Sequence, residues 1–307
     1  MKAIQYRTYG SSDVIQEVEV PVPSIQSEND VLIQVKAAGV NPIDMKIRMG
    51  LMKAARPVQM PFTPGGEAAG IIVAIGYGVS RIKVGDQVIA LTKTNGYAEY
   101  VKVNEDFALP MPQGFSFEEA ASIGVNIGTA QSVLFTAGQL QKGQKVLIQG
   151  GAGAAGGAMV QLAKAAGAYV IATASGKGLE LAKSLGADLV IDYKSQCVSG
   201  LFTGVDLVAD TAGGQAQEKL FKVLKPGGKL LSIVVPPSQQ LAEQYNVKAG
   251  FVASDISAKT LQNGLALVNA GKFKPVVSKI FKLGEAAQAQ DFLAAGGVNG
   301  KVILTVD

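Results

Sequence analysis

The chain has 307 residues, 48% hydrophobic and 17% charged, an ordinary globular composition with length enough for two domains. Its net charge is +4, and the basic residues are scattered, with nothing denser than Lys46-Ile47-Arg48 or Arg81-Ile82-Lys83, so no nucleic-acid footprint exists. With no histidine and one cysteine, Cys197, the sequence rules out an imidazole base, a Ser-His-Asp triad, a His/Cys zinc site and an intramolecular disulfide.

The first residues, Met1 to Tyr6, move straight into strand-like sequence without the apolar core of a signal peptide. The small-apolar region around residues 150–174 is interrupted by Gln161 and Lys164 and is too polar for a membrane span. These features, with the single cysteine, point to a cytoplasmic protein without a membrane partner.

Residues 1–122 read as mostly β. Val31–Val35 and Gly70–Ile75 are strand-like, and Val84-Gly85-Asp86-Gln87-Val88 carries a Gly-Asp turn signal between β-formers. Together they suggest an irregular barrel. Between the first strands, Pro42 opens a short helix with Asn41 at the cap position. Pro61 to Glu67 is a constrained loop. Phe117–Ser132 reads as an apolar helix leading into the next domain.

Lys145-Val146-Leu147-Ile148-Gln149 is an apolar strand, suited to a sheet buried on both faces. The turn after it places Gly151, Gly153 and Gly156 in G-x-G-x-x-G register. A helix follows, with Gly156, Val160, Ala163 and Gly167 along one small-residue face, and then a second strand, Tyr169–Thr173. Glycine turns of this kind leave the backbone N–H groups of Gly151, Gly153, Ala154, Ala155 and Gly156 open to a pyrophosphate at a helix N-terminus. The strand and helix around the motif are the context it requires.

Beyond it, strands at Leu189–Asp192, Asp206–Asp210 and Lys229–Ile233 alternate with helices at Gly178–Leu185 and Gln215–Leu224, the latter closed by Pro226-Gly227-Gly228. The alternation implies an α/β, doubly wound parallel sheet. Phe251-Val252-Ala253 is a candidate edge strand and Ala258–Ala270 a helix. The β-like tail, Lys301–Val306, is expected to rejoin the first domain. The domains are therefore expected at 1–122 with 271–307, and at 123–270.

Dinucleotide folds place an acidic residue at the end of the second strand to hold the adenosine ribose. Here that position is Ala174, followed by Ser175 and Lys177. No carboxylate repels a 2′-phosphate there, and the lysine neutralises one, which favours NADPH over NADH.

In order and spacing, Gly39-Val40-Asn41-Pro42-Ile43-Asp44, Pro64 to Gly70, Val84 to Val88, Gly96 to Tyr100, Gly128-Thr129-Ala130, the glycine loop, Leu185 to Asp188, Asp210 to Gly214 and Gly300-Lys301-Val302 resemble the zinc-independent quinone oxidoreductase branch of the medium-chain dehydrogenase/reductase superfamily. The resemblance runs end to end. It implies a GroES-like, mostly β catalytic domain, a Rossmann domain, an active site in the cleft between them, and a homodimer. It adds Tyr193 and Thr129 to the cofactor-binding residues and names Asn41 as a cleft residue.

Zinc-dependent relatives carry a cysteine and a histidine where this chain has Asn41 and Gly66, so no metal site is expected. Lys46, where many quinone reductases carry a tyrosine, matches an enone- and quinone-reductase subgroup with Asn-Pro-x-Asp-x-Lys. The expected activity is reduction of a quinone or an α,β-unsaturated carbonyl by NADPH. Lys46 and Asn41 are the catalytic candidates, stabilising negative charge on the substrate oxygen. Glu67 and Asp44 read as structural carboxylates, and Cys197 as a buried or incidental thiol. The alternative is a non-catalytic NADPH-binding protein on the same fold.

Overall fold

The computed structural model describes residues 1–307, save the side chains of Ala258 and Asn263. In chain order the strands are β1 (Lys2–Gln5), β2 (Gln16–Glu19), β3 (Asp30–Val40), β4 (Ala68–Ile75), β5 (Gln87–Ala90), β6 (Tyr100–Asn104), β7 (Ala108–Pro110), β8 (Lys145–Gln149), β9 (Tyr169–Ala174), β10 (Leu189–Asp192), β11 (Val205–Asp210), β12 (Leu224–Ser232), β13 (Lys248–Phe251), β14 (Val277–Lys282) and β15 (Lys301–Thr305). The helices are α1 (Pro42–Arg48), α2 (Phe117–Ala120), α3 (Gly124–Gln131), α4 (Ala154–Ala165), α5 (Gly178–Ser184), α6 (Gln215–Lys219), α7 (Gln239–Gln244), α8 (Ala258–Asn269) and α9 (Ala286–Ala294). The chain divides into two units: Met1–Val125 with Pro275–Asp307, and Asn126–Lys274.

Unit 1 is built on β3. Its apolar residues Val31, Ile33, Val35, Ala38 and Val40 are buried with Val88, Val302 and Leu304 in one core. The sheet runs β14-β15-β3-β4-β5-β7, with β6 also paired to β3. Two register shifts, at Leu32/Ile33 and Val35/Ala37, fall within the β3–β4 pairing, and such irregularities bend a strand. The C-terminal strand β15 lies antiparallel to the end of β3, Val302 opposite Val40 and Thr305 opposite Ala37. Residues 260 positions apart are thereby brought to hydrogen-bonding distance.

The single helix expected over Phe117–Ser132 is two helices. Ser116 and Glu119 cap α2 reciprocally, and the chain then turns before restarting at Gly124. Glu67 explains the restart: its Oε2 accepts the Val125 N–H at 2.7 Å, and a Cβ on Gly124 would sit 3.1 Å from Leu91 and 3.2 Å from that carboxylate.

Unit 2 is a six-stranded parallel sheet in the order β10-β9-β8-β11-β12-β13. The order reverses between β8 and β11, the switch point where open α/β sheets bind ligands. Val146, Leu147 and Ile148 are fully buried, as an uninterrupted apolar strand requires.

Among the boundaries that differ from expectation, α6 ends at Lys219 rather than Leu224, and two strands depart furthest. β12 starts at Leu224 and runs through Pro226-Gly227-Gly228, because the register skips from Leu224 opposite Val205 to Lys229 opposite Leu207 and absorbs the turn residues as an irregularity. The edge strand is β13, Lys248–Phe251, and not Phe251–Ala253. It pairs with Lys229–Ser232, and its ladder ends with Val252 N–H donating to Ser232 O. Among the described residues no helix is long and apolar enough to cross a membrane.

Candidate functional site

In unit 2 the glycine turn is held by the neighbouring strand. Gly150 N–H donates to Thr173 Oγ1 at 3.1 Å and Gly151 N–H to Thr173 O at 2.8 Å. A Cβ on Gly151 would stand 2.6 Å from the Ala172 Cβ, and one on Gly156 2.1 Å from Gly150 O, so only glycine allows this close approach of turn, strand and helix. The first i to i−4 bond of α4 runs from Gly157 N–H to Gly153 O. The N–H groups of Ala154, Ala155 and Gly156 therefore precede any intrahelical partner and stand at the positive end of a twelve-residue helix.

At the neighbouring strand ends, Ala174 is buried and closes β9, while Ser175 Oγ lies 3.1 Å from Tyr193 Oη. Lys177 is exposed one turn on. Asp192, which sequence reasoning did not single out, stands opposite Ala174 in the register, and its Oδ1 accepts Lys194 N–H at 3.0 Å.

Across the switch point Asp210 is the fixed centre. Its carboxylate accepts the Ala212 and Gly213 N–H groups, the Gln217 amide and the Ser232 hydroxyl, at 2.7 to 3.0 Å. This sets the backbone of Thr211–Gly214 at the end of β11. Thr129 on α3 is 5% exposed, and its hydroxyl has no hydrogen-bond partner among the described residues. The backbone-bonding hydroxyl of this segment is Ser132, which donates to Gly128 O at 2.9 Å.

In unit 1 Asn41 is the N-cap residue of α1, and its side chain reaches other segments. Its Nδ2 donates to Gly39 O at 3.3 Å and Glu67 Oε1 at 3.2 Å, and its Oδ1 accepts from Lys301 Nζ at 2.6 Å. Lys301 also pairs with Glu67, and both are buried. The Asn41 amide, the sequence candidate for an oxyanion donor, thus directs its Nδ2 to Gly39 O and Glu67 Oε1 within unit 1. Glu67 and Asp44 are both buried.

Asp44 Oδ2 accepts Asn41 N–H at 2.9 Å and Tyr97 Oη–H at 2.8 Å. Burial raises the Asp44 carboxyl to about 6, with these two hydrogen bonds pulling the other way. Burial, reinforced by Asp44, likewise holds the Tyr97 phenol well above its ordinary range. Lys46, on the next turn of α1, is half-buried, and its ammonium has no hydrogen-bond or ion-pair partner among the described residues.

Lys301 and Tyr97 entered the sequence reading only as members of matching motifs. A lysine opening the apolar run Val302-Ile303-Leu304 was the one available sign that a charge is buried there. Cys197, expected to be buried or incidental, is exposed beside Ser199, its sulfur 3.3 Å from the hydroxyl.

A dinucleotide fits unit 2, because Gly151 and Gly156 let turn, strand and helix pack closely and the N–H groups of Ala154, Ala155 and Gly156 at the start of α4 have no backbone partner. Zinc does not fit. The chain has no histidine, its single cysteine is exposed on unit 2, and no group of three His, Cys, Asp or Glu residues able to hold a metal ion exists among the described residues.

Fold and site together define a two-unit, dinucleotide-binding protein of the dehydrogenase type. Residues 27–113 match the alcohol dehydrogenase GroES-like domain and residues 185–304 a family described as zinc-binding dehydrogenase, although the donors for zinc are missing here. The chain is similar to 2-methylene-furan-3-one reductase of Solanum lycopersicum, 36% identical over 321 residues that cover 99% of this chain and 79% of the relative. It is also similar to the quinone oxidoreductase of Mus musculus, 32% identical over 99% of this chain and 97% of the relative. Among solved structures, the Escherichia coli quinone oxidoreductase complexed with NADPH superposes with a TM-score of 0.88 at 26% identity, covering 99% of this chain and 100% of that one. The chain belongs to the medium-chain dehydrogenase/reductase superfamily, in its zinc-independent branch of quinone oxidoreductases and enone reductases.

Proposed function

We propose that this protein is an NADPH-dependent reductase of quinones and α,β-unsaturated carbonyls that works without a catalytic metal. The observation that carries the reading is the glycine cradle at the start of α4, with Ala174 where a ribose-binding carboxylate would stand and Ser175, Lys177 and Tyr193 beside it. When bound, NADPH supplies a hydride to the electron-poor carbon of the acceptor, whose oxygen gains the displaced electron pair and then a proton from solvent.

The chain's own residues bind, orient and stabilise. The N–H groups of Ala154, Ala155 and Gly156 receive the pyrophosphate, Gly151 and Gly153, whose own N–H groups bond Thr173 and Gly150, let it approach closely, and Ser175, Lys177 and Tyr193 receive the 2′-phosphate. Thr129 offers its unpartnered hydroxyl to the cofactor. The partnerless ammonium of Lys46 stabilises the developing oxyanion electrostatically, since a lysine is a poor acid at neutral pH. Asn41 holds the start of α1 through Glu67 and Lys301.

The reading extends to a homodimer, joined through the β13 edge where Phe251 is exposed, and to a cytoplasmic location. A solution mass measured at micromolar concentration decides the first, with a monomer counting against it. The function is tested by NADPH oxidation against a panel of quinones and enones, with NADH in parallel. Turnover with NADPH preferred is the expected result. NADPH binding without turnover of any acceptor would instead favour the non-catalytic alternative.

A further inference from the structure

The carboxyl ends of β9, β8, β11 and β12 carry one row of polar side chains, Thr173, Gln149, Asp210 and Ser232, all of them buried. Gln149 stands opposite Asp210 and Asp210 opposite Ser232, while Ile148 pairs with Ala172 one step before Gln149 and Thr173. Side chains of a strand alternate between faces, and each member of the row follows by two residues a member of one core: Ile171, Leu147, Val208 and Leu230. The four therefore share a face. They close that core at the end of the sheet where open α/β folds bind ligands.

Three of the four hold the loops that follow the strands. Thr173 Oγ1 accepts Gly150 N–H and fixes the glycine turn. Asp210 fixes Ala212 and Gly213, and Ser232 Oγ accepts Val234 N–H at 3.1 Å. Gln149 is the exception. Its backbone is anchored, since Thr211 Oγ1 donates to Gln149 O at 2.6 Å, yet its amide makes no hydrogen bond among the described residues. The residue is 7% exposed and its Oε1 is fully buried, which leaves Nε2 as the outward end of the amide. The other buried polar atoms without a partner, Tyr6 Oη and Gln290 Nε2, belong to unit 1. An unmatched buried amide destabilises a fold, so its retention at a ligand-binding strand end points to a partner that arrives with the ligand.

The neighbours of Gln149 select the partner. On one side the start of α4 offers N–H groups to a pyrophosphate, and on the other the ends of β9 and β10 carry Ser175 and Tyr193, proposed for the 2′-phosphate. In NADPH one group bears both of these, the adenosine ribose. We infer that Gln149 binds that ribose, its Nε2 donating to a sugar hydroxyl oxygen. The inference rests on the proposed cofactor reading. Its test is Gln149→Met, which keeps the side chain's length and removes both polar ends. The dissociation constants of NADPH and of 2′,5′-ADP, which has the adenosine ribose without the nicotinamide half, should both rise by about tenfold. The urea midpoint of the cofactor-free protein should hold or rise, because the variant no longer buries an unmatched carbonyl. Gln149→Leu repeats both measurements with a second apolar side chain. A lower urea midpoint with unchanged dissociation constants overturns the inference and makes the amide structural. A rise in the NADPH constant alone, with 2′,5′-ADP unaffected, overturns it as well. A parent protein that binds neither NADPH nor NADH overturns the proposed function and this inference with it.

Discussion

The two units prepare for chemistry by opposite means. In unit 2 the nucleotide site is made of backbone: glycines packed against Thr173, Ala172 and their own turn, with free N–H groups at the start of α4. In unit 1 the corresponding region is made of buried side chains, Asn41, Asp44, Glu67, Tyr97 and Lys301, drawn from segments far apart in the sequence. A backbone site needs small residues in one short stretch. A side-chain network needs every partner present, because removing one strands a buried charge or donor.

The strongest way to break this contrast is Lys301→Met, which leaves Glu67 buried without its cation. A loss of about 3–5 kcal/mol in urea unfolding is expected, with NADPH affinity of the folded protein kept. A loss under about 1 kcal/mol would show that the network tolerates a missing partner, contrary to the contrast.

Asp44 sharpens it through pH. The unfolded carboxyl ionises near 3.8, whereas burial raises the folded one to about 6. The folded state therefore holds the proton longer, so this group's contribution is fully present below pH about 4 and falls as pH rises to about 6, by on the order of 3 kcal/mol. Asp44→Asn removes that dependence. Relative to the parent, the variant should gain stability between pH 4 and pH 6.5, and a difference that stays flat across this window would show that Asp44 does not titrate as described.

Lys46→Met tests the half-buried ammonium of α1, which has no partner among the described residues. Turnover should fall on the order of a hundredfold for an enone and a quinone alike, with fold and NADPH affinity intact. Near-normal turnover would remove Lys46 from the oxyanion role.

The smallest effect belongs to unit 2, where Ala174→Asp combined with Lys177→Ala should shift the NADPH to NADH affinity ratio by about tenfold toward NADH. A parent that already prefers NADH would reverse the assignment.

These contrasts explain what was legible in the sequence. The strand, glycine turn and helix from Lys145 to Ala165 could be read directly, since each step depends on residues within one turn or one strand. The break between α2 and α3 was not, because it depends on Glu67 reaching Val125 from the loop before β4, more than fifty residues earlier. The end of β13 was misplaced for a similar reason. Phe251-Val252-Ala253 is apolar enough for a strand, but its partner Ser232 ends the ladder at Val252.

By itself the sequence determined the fold class, the nucleotide turn, the missing ribose carboxylate and the impossibility of histidine or zinc chemistry, all matters of local pattern or of composition. Only the tertiary structure decided that Asn41 is spent on Glu67, Gly39 and Lys301 and that Lys46 is left without a partner among the described residues. The physical reason is that local hydrogen bonding and periodicity act over a few residues, whereas the partner of a buried polar group is whichever strand the sheet order brings beside it. Here β15 returns against β3 and places Lys301 beside Asn41.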